Sequence, residues 1–100
     1  MKVLQVPTVH LHGTSHGTLL EGYTAAGQAL RIAMEKVQET APHGRDFYTG
    51  SLDRLGNAMF EHNYRILRLR EIYKELLALA EAVEEGRETA EVPPSIGGAS

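Results

Sequence analysis

The chain has 100 residues, of which 42% are hydrophobic and 23% are charged. This is the composition of one small globular domain rather than of a disordered chain. The net charge of −3 argues against a nucleic acid polymer or an anionic membrane as partner, and the absence of cysteine excludes disulfides. No apolar run approaches the ~20 residues of a membrane span, and the first residues lack a signal-peptide pattern. We therefore expect a soluble, cytoplasmic protein.

Residues 1–13 are predicted to form an extended arm or a short strand. From Thr8 to His12 the sequence alternates, with Val9 and Leu11 on one face of the segment. Pro7 restricts such a strand to the edge of a sheet. Because one strand cannot form a sheet, the arm is expected either to drape over the helices or to pair with another subunit.

The next segment predicts a first helix over about residues 15–40, with Ser15 as its N-cap and Thr14 as the alternative. Apolar positions follow each other at alternating intervals of three and four, which is a heptad seam. This seam comprises Leu20, Tyr23, Gly27, Leu30, Met34 and Val37. A glycine costs a helix about 1 kcal/mol, so close approach of a partner helix at Gly27 is the expected compensation.

A second helix is predicted over about residues 51–86, with Ser51 or Thr49 as N-cap and Gly86 just past its end. Its seam comprises Leu52, Leu55, Met59, His62, Ile66, Leu69, Tyr73, Leu76, Ala80 and Val83. Three glutamates crowd the last turns, where the helix dipole disfavours anions. We expect either a basic segment of another subunit to meet them or a solvated, fraying helix end. Residues 87–100 are predicted to be a flexible tail.

These elements predict an all-α protein, an antiparallel two-helix hairpin with an N-terminal extended arm. Two helices of this size leave their outer apolar faces in water, so a homo-oligomer is expected.

The connection between the helices, residues 41–50, holds the densest set of chemically capable side chains. Arg45 presents a planar fork that suits phosphate or carboxylate, and aromatic faces beside it suit stacking by a base. Helix starts would add backbone donors for an anion. The candidate ligand-binding residues are His43, Gly44, Arg45, Asp46, Phe47, Tyr48, Arg54, Thr14 and Ser15. The alternative is that Arg45 pairs with Asp46 or Asp53 and merely locks the corner.

Two other histidine arrangements carry weaker hypotheses. His10 and His12 would share one strand face, with His16 following, which is a spacing that zinc accepts. Surface histidines are the alternative, and we predict no metal and no cofactor. His62 on the second seam is expected to be buried and hydrogen-bonded and to set the register, with a ligand contact as the alternative. No arrangement typical of catalysis is evident, so the protein is predicted not to be an enzyme.

The motif Val-His-Leu-His-Gly-Thr-Ser, the corner Ala-Pro-His-Gly-Arg-Asp-Phe-Tyr and Glu61-His62 resemble small helical proteins encoded by phages. Those proteins have a closely similar Ala-Pro-His-Gly-Arg-Asp-Tyr-Tyr corner, and the resemblance covers roughly residues 6–85. The chain has His12 where that pattern has Asn, and Phe47 where it has Tyr.

Phages encode compact helical oligomers that act as sponges for nucleotide second messengers of bacterial immune systems, such as cyclic oligonucleotides or ADP-ribose derivatives. The resemblance implies non-catalytic sequestration of such a ligand in the cytoplasm of an infected cell. It implies ligand contacts by His43, Arg45, Asp46 and Tyr48 of the corner and by Thr14 and Ser15. The alternative function is a structural or interaction protein, either a virion accessory component or an inhibitor of a host protein.

Overall fold

The computed structural model describes residues 2–47 and 52–93. Within them the protein is mostly helical, with two long helices, one short 3-10 turn and a two-stranded sheet. The elements are strand β1 (Lys2–Gln5), helix α1 (His16–Gln38), the 3-10 turn (Gly44–Asp46), helix α2 (Leu52–Glu85) and strand β2 (Thr89–Val92).

The heptad seam of the first helix is confirmed, because its six predicted residues are all withdrawn from solvent. Leu19 is the one additional position of α1 that is not exposed. The helices run antiparallel, with Gly27 of α1 against Tyr73 and Leu77 of α2. A Cβ built on Gly27 would lie 3.8 Å from Tyr73 Cε1, which leaves room for a methyl group. The predicted close approach at this glycine is therefore wrong within the chain.

The seam of the second helix is also confirmed at eight of its nine positions from Leu55 to Val83. Met59 is the exception, with 47% of its surface exposed. Leu52 begins α2, and its side chain lies outside the described residues together with the predicted caps Thr49 and Ser51.

The start of α1 and the end of α2 have the caps that the sequence predicts. The Ser15 side chain accepts a hydrogen bond from the backbone N–H of Thr18 at 3.2 Å, which caps α1. At the end of α2, Gly86 has φ +74° and its N–H donates to the Val83 carbonyl. The N–H of Arg87 donates to the Ala82 carbonyl, which completes a Schellman motif.

The position of the N-terminal strand is where the sequence prediction is wrong. The strand is β1 at Lys2–Gln5, and residues 8–12 have no strand structure. Its partner is β2 of the same chain, antiparallel, with Leu4 opposite Ala90. The arm therefore neither lies alone nor needs another subunit for pairing.

The predicted tail is likewise wrong for Thr89–Val92, which forms β2, while residues 94–100 lie outside the described residues. The all-α prediction is corrected accordingly, to a mostly helical protein with a two-stranded sheet. The sheet packs on the C-terminal part of α2, where the best-buried apolar residues of the protein lie. These residues are Val6, Ala82, Val83, Ala90 and Val92.

Two of the three glutamates at the end of α2 pair with an arginine of the same chain. Arg87 Nη2 lies 3.2 Å from a Glu81 carboxylate oxygen, and Arg87 Nε lies 3.0 Å from one of Glu85. The cation comes from the same chain rather than from another subunit, and the end stays exposed to solvent as the alternative predicts.

The molecule is elongated, with extents of 62 × 29 × 15 Å and a radius of gyration of 18.1 Å. A compact chain of this length has a radius of gyration of about 13 Å. Many large apolar side chains stand in solvent as a result. The most exposed are Val3, Leu11, Ile32, Phe60 and Tyr64.

Candidate ligand-binding site

The corner between the helices is an ordered turn up to Phe47. His43 precedes the 3-10 turn in extended conformation, and its Nδ1 accepts from the Arg45 backbone N–H at 3.3 Å. The Asp46 N–H donates to the His43 carbonyl at 2.9 Å, and the Phe47 N–H donates to that of Gly44 at 3.0 Å. The predicted ligand residue His43 therefore also has a structural task, because one of its nitrogens caps the turn.

Arg45 presents its side chain to solvent beside this turn. Among the described residues, no ion pair joins Arg45 to Asp46 or to Asp53. The alternative prediction, in which such an ion pair fixes the corner, is therefore not found among the described residues. The guanidinium has no described carboxylate partner to displace before it meets an anion.

Arg54 reaches the corner from the first turn of α2. Its guanidinium carbon lies 5.3 Å from the centroid of the Phe47 ring, which is a cation–π contact. A small cavity of about 220 Å³ adjoins this pair. It is also lined by Asn57, Ala58 and Glu61. We call this cavity the corner cavity.

The remaining predicted contacts are not brought to the corner in one chain. Thr14 and Ser15 lie at the other end of α1, whose 23 residues span about 35 Å. The Ser15 hydroxyl donates to Thr18 Oγ1 at 2.9 Å while its oxygen caps the helix. A site that combines these residues with the corner requires a second copy. Tyr48 lies outside the described residues.

The zinc hypothesis assumed a strand that places His10 and His12 on one face. The structure has no strand at these residues. The His10 ring instead packs on Gly13, where a Cβ would lie 2.6 Å from Nε2. Within residues 2–47 and 52–93, no group of three or more His, Cys, Asp or Glu side chains has the arrangement of a metal site.

A larger groove, which the sequence did not reveal, lies between the end of α1 and the middle of α2. Its volume is about 540 Å³, and it is lined by His62 together with Gln38, Pro42, Met59, Asn63 and Arg70. We call it the His62 groove. Asn63 and Arg70 are seven residues apart, two helical turns, and this spacing beside a seam histidine is the signal that could have found it.

His62 itself is buried, as its seam position predicts, with 7% of its surface exposed. The predicted hydrogen bond is missing at one nitrogen. His62 Nδ1 is buried and has no hydrogen-bond partner among the residues that the structure describes. Buried polar atoms are nearly always paired, so this nitrogen requires an explanation.

No helix among the described residues is long and apolar enough to cross a membrane. No protein-family model, no curated protein and no solved structure matches the chain. The resemblance to phage-encoded helical proteins therefore stays a prediction.

Proposed function

We propose that the protein is a non-catalytic, self-associating helical hairpin that sequesters a small anionic, nucleotide-like ligand at its corner. In this proposal it is a phage anti-defence sponge that acts in the cytoplasm of the infected cell. Arg45 holds the phosphate, Phe47 offers a face to the base, and Arg54 adds a second cation.

The observation that carries the proposal is the pairing of the Arg54 guanidinium with the Phe47 ring next to an exposed Arg45. Guanidinium groups bind phosphate through two parallel hydrogen bonds, and an aromatic face stacks with any nucleobase. A corner with both groups has the two complementary parts that a nucleotide needs.

The chemistry of the corner favours holding a ligand over converting it. His43 and Asp46 are the candidate bases beside Arg45 in the turn, and Nδ1 of His43 accepts a backbone hydrogen bond. A general base must reach the proton that it removes, and this nitrogen is occupied by the turn. This engagement of His43 in the turn supports binding over turnover.

Self-association is supported by the amount of surface that one chain leaves in water. The accessible surface is 7131 Å². A compact monomer of 11.0 kDa exposes about 5,600 Å². The excess of about 1,500 Å² per chain is roughly twice the ~800 Å² that each partner buries in a standard protein interface.

One face of α2 is suited to that interface. Phe60 and Tyr64 are each nine residues before a seam residue, Leu69 and Tyr73, so at about 100° per residue they point away from α1. Phe60 is 74% exposed and Tyr64 is 51% exposed. A second copy that covers this face could also bring its own Thr14 and Ser15 toward the corner.

Native mass spectrometry tests the proposal, with cyclic di-AMP and ADP-ribose as probes. We expect an oligomer that binds one of the probes in a fixed ratio and releases it unchanged. Arg45→Ala should weaken binding at least about tenfold, because a charged hydrogen bond contributes roughly 1.5–3 kcal/mol. Arg31→Ala removes an exposed arginine on α1 and should leave binding intact.

Two results would count against this function. Binding that is unchanged in Arg45→Ala, with the oligomer preserved, would remove the corner as the site. An empty wild-type oligomer with both probes, and with a lysate that contains immune signalling nucleotides, would remove the sponge.

The second candidate function, a structural or interaction protein, is favoured by the exposed apolar residues. Leu11 stands at a turn with 91% of its surface exposed, and Phe60 lies on a different part of the chain.

Sedimentation equilibrium separates the two candidates. Phe60→Asp should raise the dissociation constant of a self-assembled oligomer roughly tenfold or more, because a buried Phe contributes about 1.5–3 kcal/mol. Glu61→Gln is the matched neutral control. A wild-type chain that stays monomeric and binds no probe would favour a heterologous protein partner.

A further inference from the structure

We propose that the His62 groove is a second ligand site, distinct from the corner, which binds a small organic anion with a flat ring. The ring lies on the apolar floor of the groove, and Arg70 binds the anionic group. Nucleoside monophosphates and aromatic carboxylates share this chemistry. The inference does not depend on the corner binding a ligand.

The groove and the corner cavity lie on opposite sides of α2. Arg54 and Asn63 are nine residues apart, and so are Glu61 and Arg70. At about 100° per residue, nine residues correspond to half a turn beyond two full turns. Arg54 and Glu61 line the corner cavity, whereas Asn63 and Arg70 line the groove. One small ligand therefore does not occupy both the His62 groove and the corner cavity.

The size and lining of the groove suit a small molecule. Its volume of about 540 Å³ falls in the range of roughly 300–1,000 Å³ that is usual for small-molecule pockets. Pro42, Met59 and Ile66 supply apolar surface, and Met59 is 47% exposed although it lies on the seam. A flat ring on this surface would cover a side chain that α1 leaves uncovered.

The charge of the groove selects an anion. Arg70 is exposed and has no ion pair among the described residues. Among the residues described as lining the groove there is no Asp or Glu. The amides of Gln38 and Asn63 add donors and acceptors for the edge of a ring.

His62 is the lining residue whose imidazole can report a ligand in the groove. Its imidazole lines the groove and is 7% exposed, and its Nδ1 has no partner among the described residues. Nδ1 is buried although the groove is open, so a ligand in the groove would contact another part of His62 and leave this atom as it is.

The test is a titration of the whole protein with adenosine 5′-monophosphate and with indole-3-carboxylate, followed by ¹⁵N NMR of the imidazole nitrogens. We expect at least one probe to shift the His62 nitrogens. Arg70→Ala should weaken binding of that probe at least about tenfold, because the variant loses a charged hydrogen bond. Arg65→Ala is the matched control, since Arg65 is also exposed on α2 but does not line the groove. It should change the affinity less than about twofold, as expected for an exposed charge that is screened by solvent and does not contact the ligand.

Four outcomes would overturn the inference. The first is that neither probe shifts the His62 nitrogens. The second is equal weakening by Arg65→Ala and Arg70→Ala, which would indicate a general charge effect. The third is a shift that follows protein concentration without a probe, which would place a second copy in the groove. The fourth is that Arg54→Ala abolishes binding of the probe while Arg70→Ala has no effect. The probe would then bind at the corner, and only the proposal for the groove would fail.

Discussion

The ring of Tyr73 lies against the backbone of Gly27, with 3.8 Å between Tyr73 Cε1 and the place where a Cβ on the glycine would stand. Gly27 is the one buried residue of α1. The contact sits on both heptad seams, so it reports directly how closely the two helices approach.

Gly27→Ala is expected to stabilise the protein by about 0.5–1 kcal/mol. The new methyl group makes ordinary contacts with Tyr73 and Leu77, and alanine favours a helix over glycine by about 1 kcal/mol. Urea denaturation measures the change. Gly22→Ala, which meets nothing within 4 Å, is the matched control for helix propensity alone. A loss of stability in Gly27→Ala alone would mean that α1 and α2 pack more closely at this glycine than the 3.8 Å contact with Tyr73 indicates.

Gly86→Ala is expected to have the opposite sign and to destabilise the protein by about 1–2 kcal/mol. Gly86 has φ +74° in the Schellman motif, where a Cβ is strained. Gly56→Ala has open space around it within α2 and should gain stability instead. Thermal unfolding of both variants checks the contrast. Equal effects of the two substitutions would show that the helix does not end in this motif in solution.

Strand β2 gives a third prediction, because its side chains alternate between core and solvent. Ala90→Asp is expected to cost about 2–3 kcal/mol, since it places a carboxylate among Ala82, Val83 and Val6. Glu91→Asp changes the exposed neighbour and should be nearly neutral. Chemical denaturation measures both variants. A neutral Ala90→Asp would mean that residues 89–92 are a tail after all.

Lys2 links strand β1 to α2, and its ion pair with Glu75 should make the stability of the protein depend on alkaline pH. Its ammonium donates to a Glu75 carboxylate oxygen at 2.7 Å, and this hydrogen bond raises the pKa of Lys2 above its ordinary 10.5. The pKa of Lys2 is higher in the folded state than in the unfolded state. The ion pair therefore contributes its full stability below pH 10.5, and this contribution is lost as the pH rises through the folded pKa.

Lys2→Gln should therefore be less stable than the wild type at neutral pH, and the difference should shrink in alkaline solution. Denaturation curves from neutral to alkaline pH measure it. Lys36→Gln is the control, because Lys36 and Glu39 are 3.8 Å apart and both well exposed. A difference that persists above the folded pKa would assign the effect to packing of the lysine stem.

The helices were predictable because their information is local. Six positions of α1, from Leu20 to Val37, repeat at helical intervals, and each is withdrawn from solvent as the period requires. The caps Ser15 and Gly86 are likewise set by residues within one turn. Neither property needs knowledge of distant residues.

The sheet was not predictable, since it joins Lys2–Gln5 to Thr89–Val92 across the whole chain. Four residues are too few for a clear alternation, and Thr8–His12 alternates better without forming a strand. The corner was found from its residue types alone. The His62 groove depends on where two helices leave a gap, which no single segment encodes.

The last prediction separates the two tasks of His43. His43→Ala should cost about 0.5–1.5 kcal/mol, because Nδ1 no longer accepts from the Arg45 N–H. His43→Asn keeps a side-chain acceptor near the same place and should keep most of that stability. If His43 acts only through the turn, His43→Asn should also keep the affinity for cyclic di-AMP or ADP-ribose. A variant with wild-type stability and weakened binding would instead show that the imidazole contacts the ligand. Urea denaturation and titration calorimetry on the same samples give both quantities.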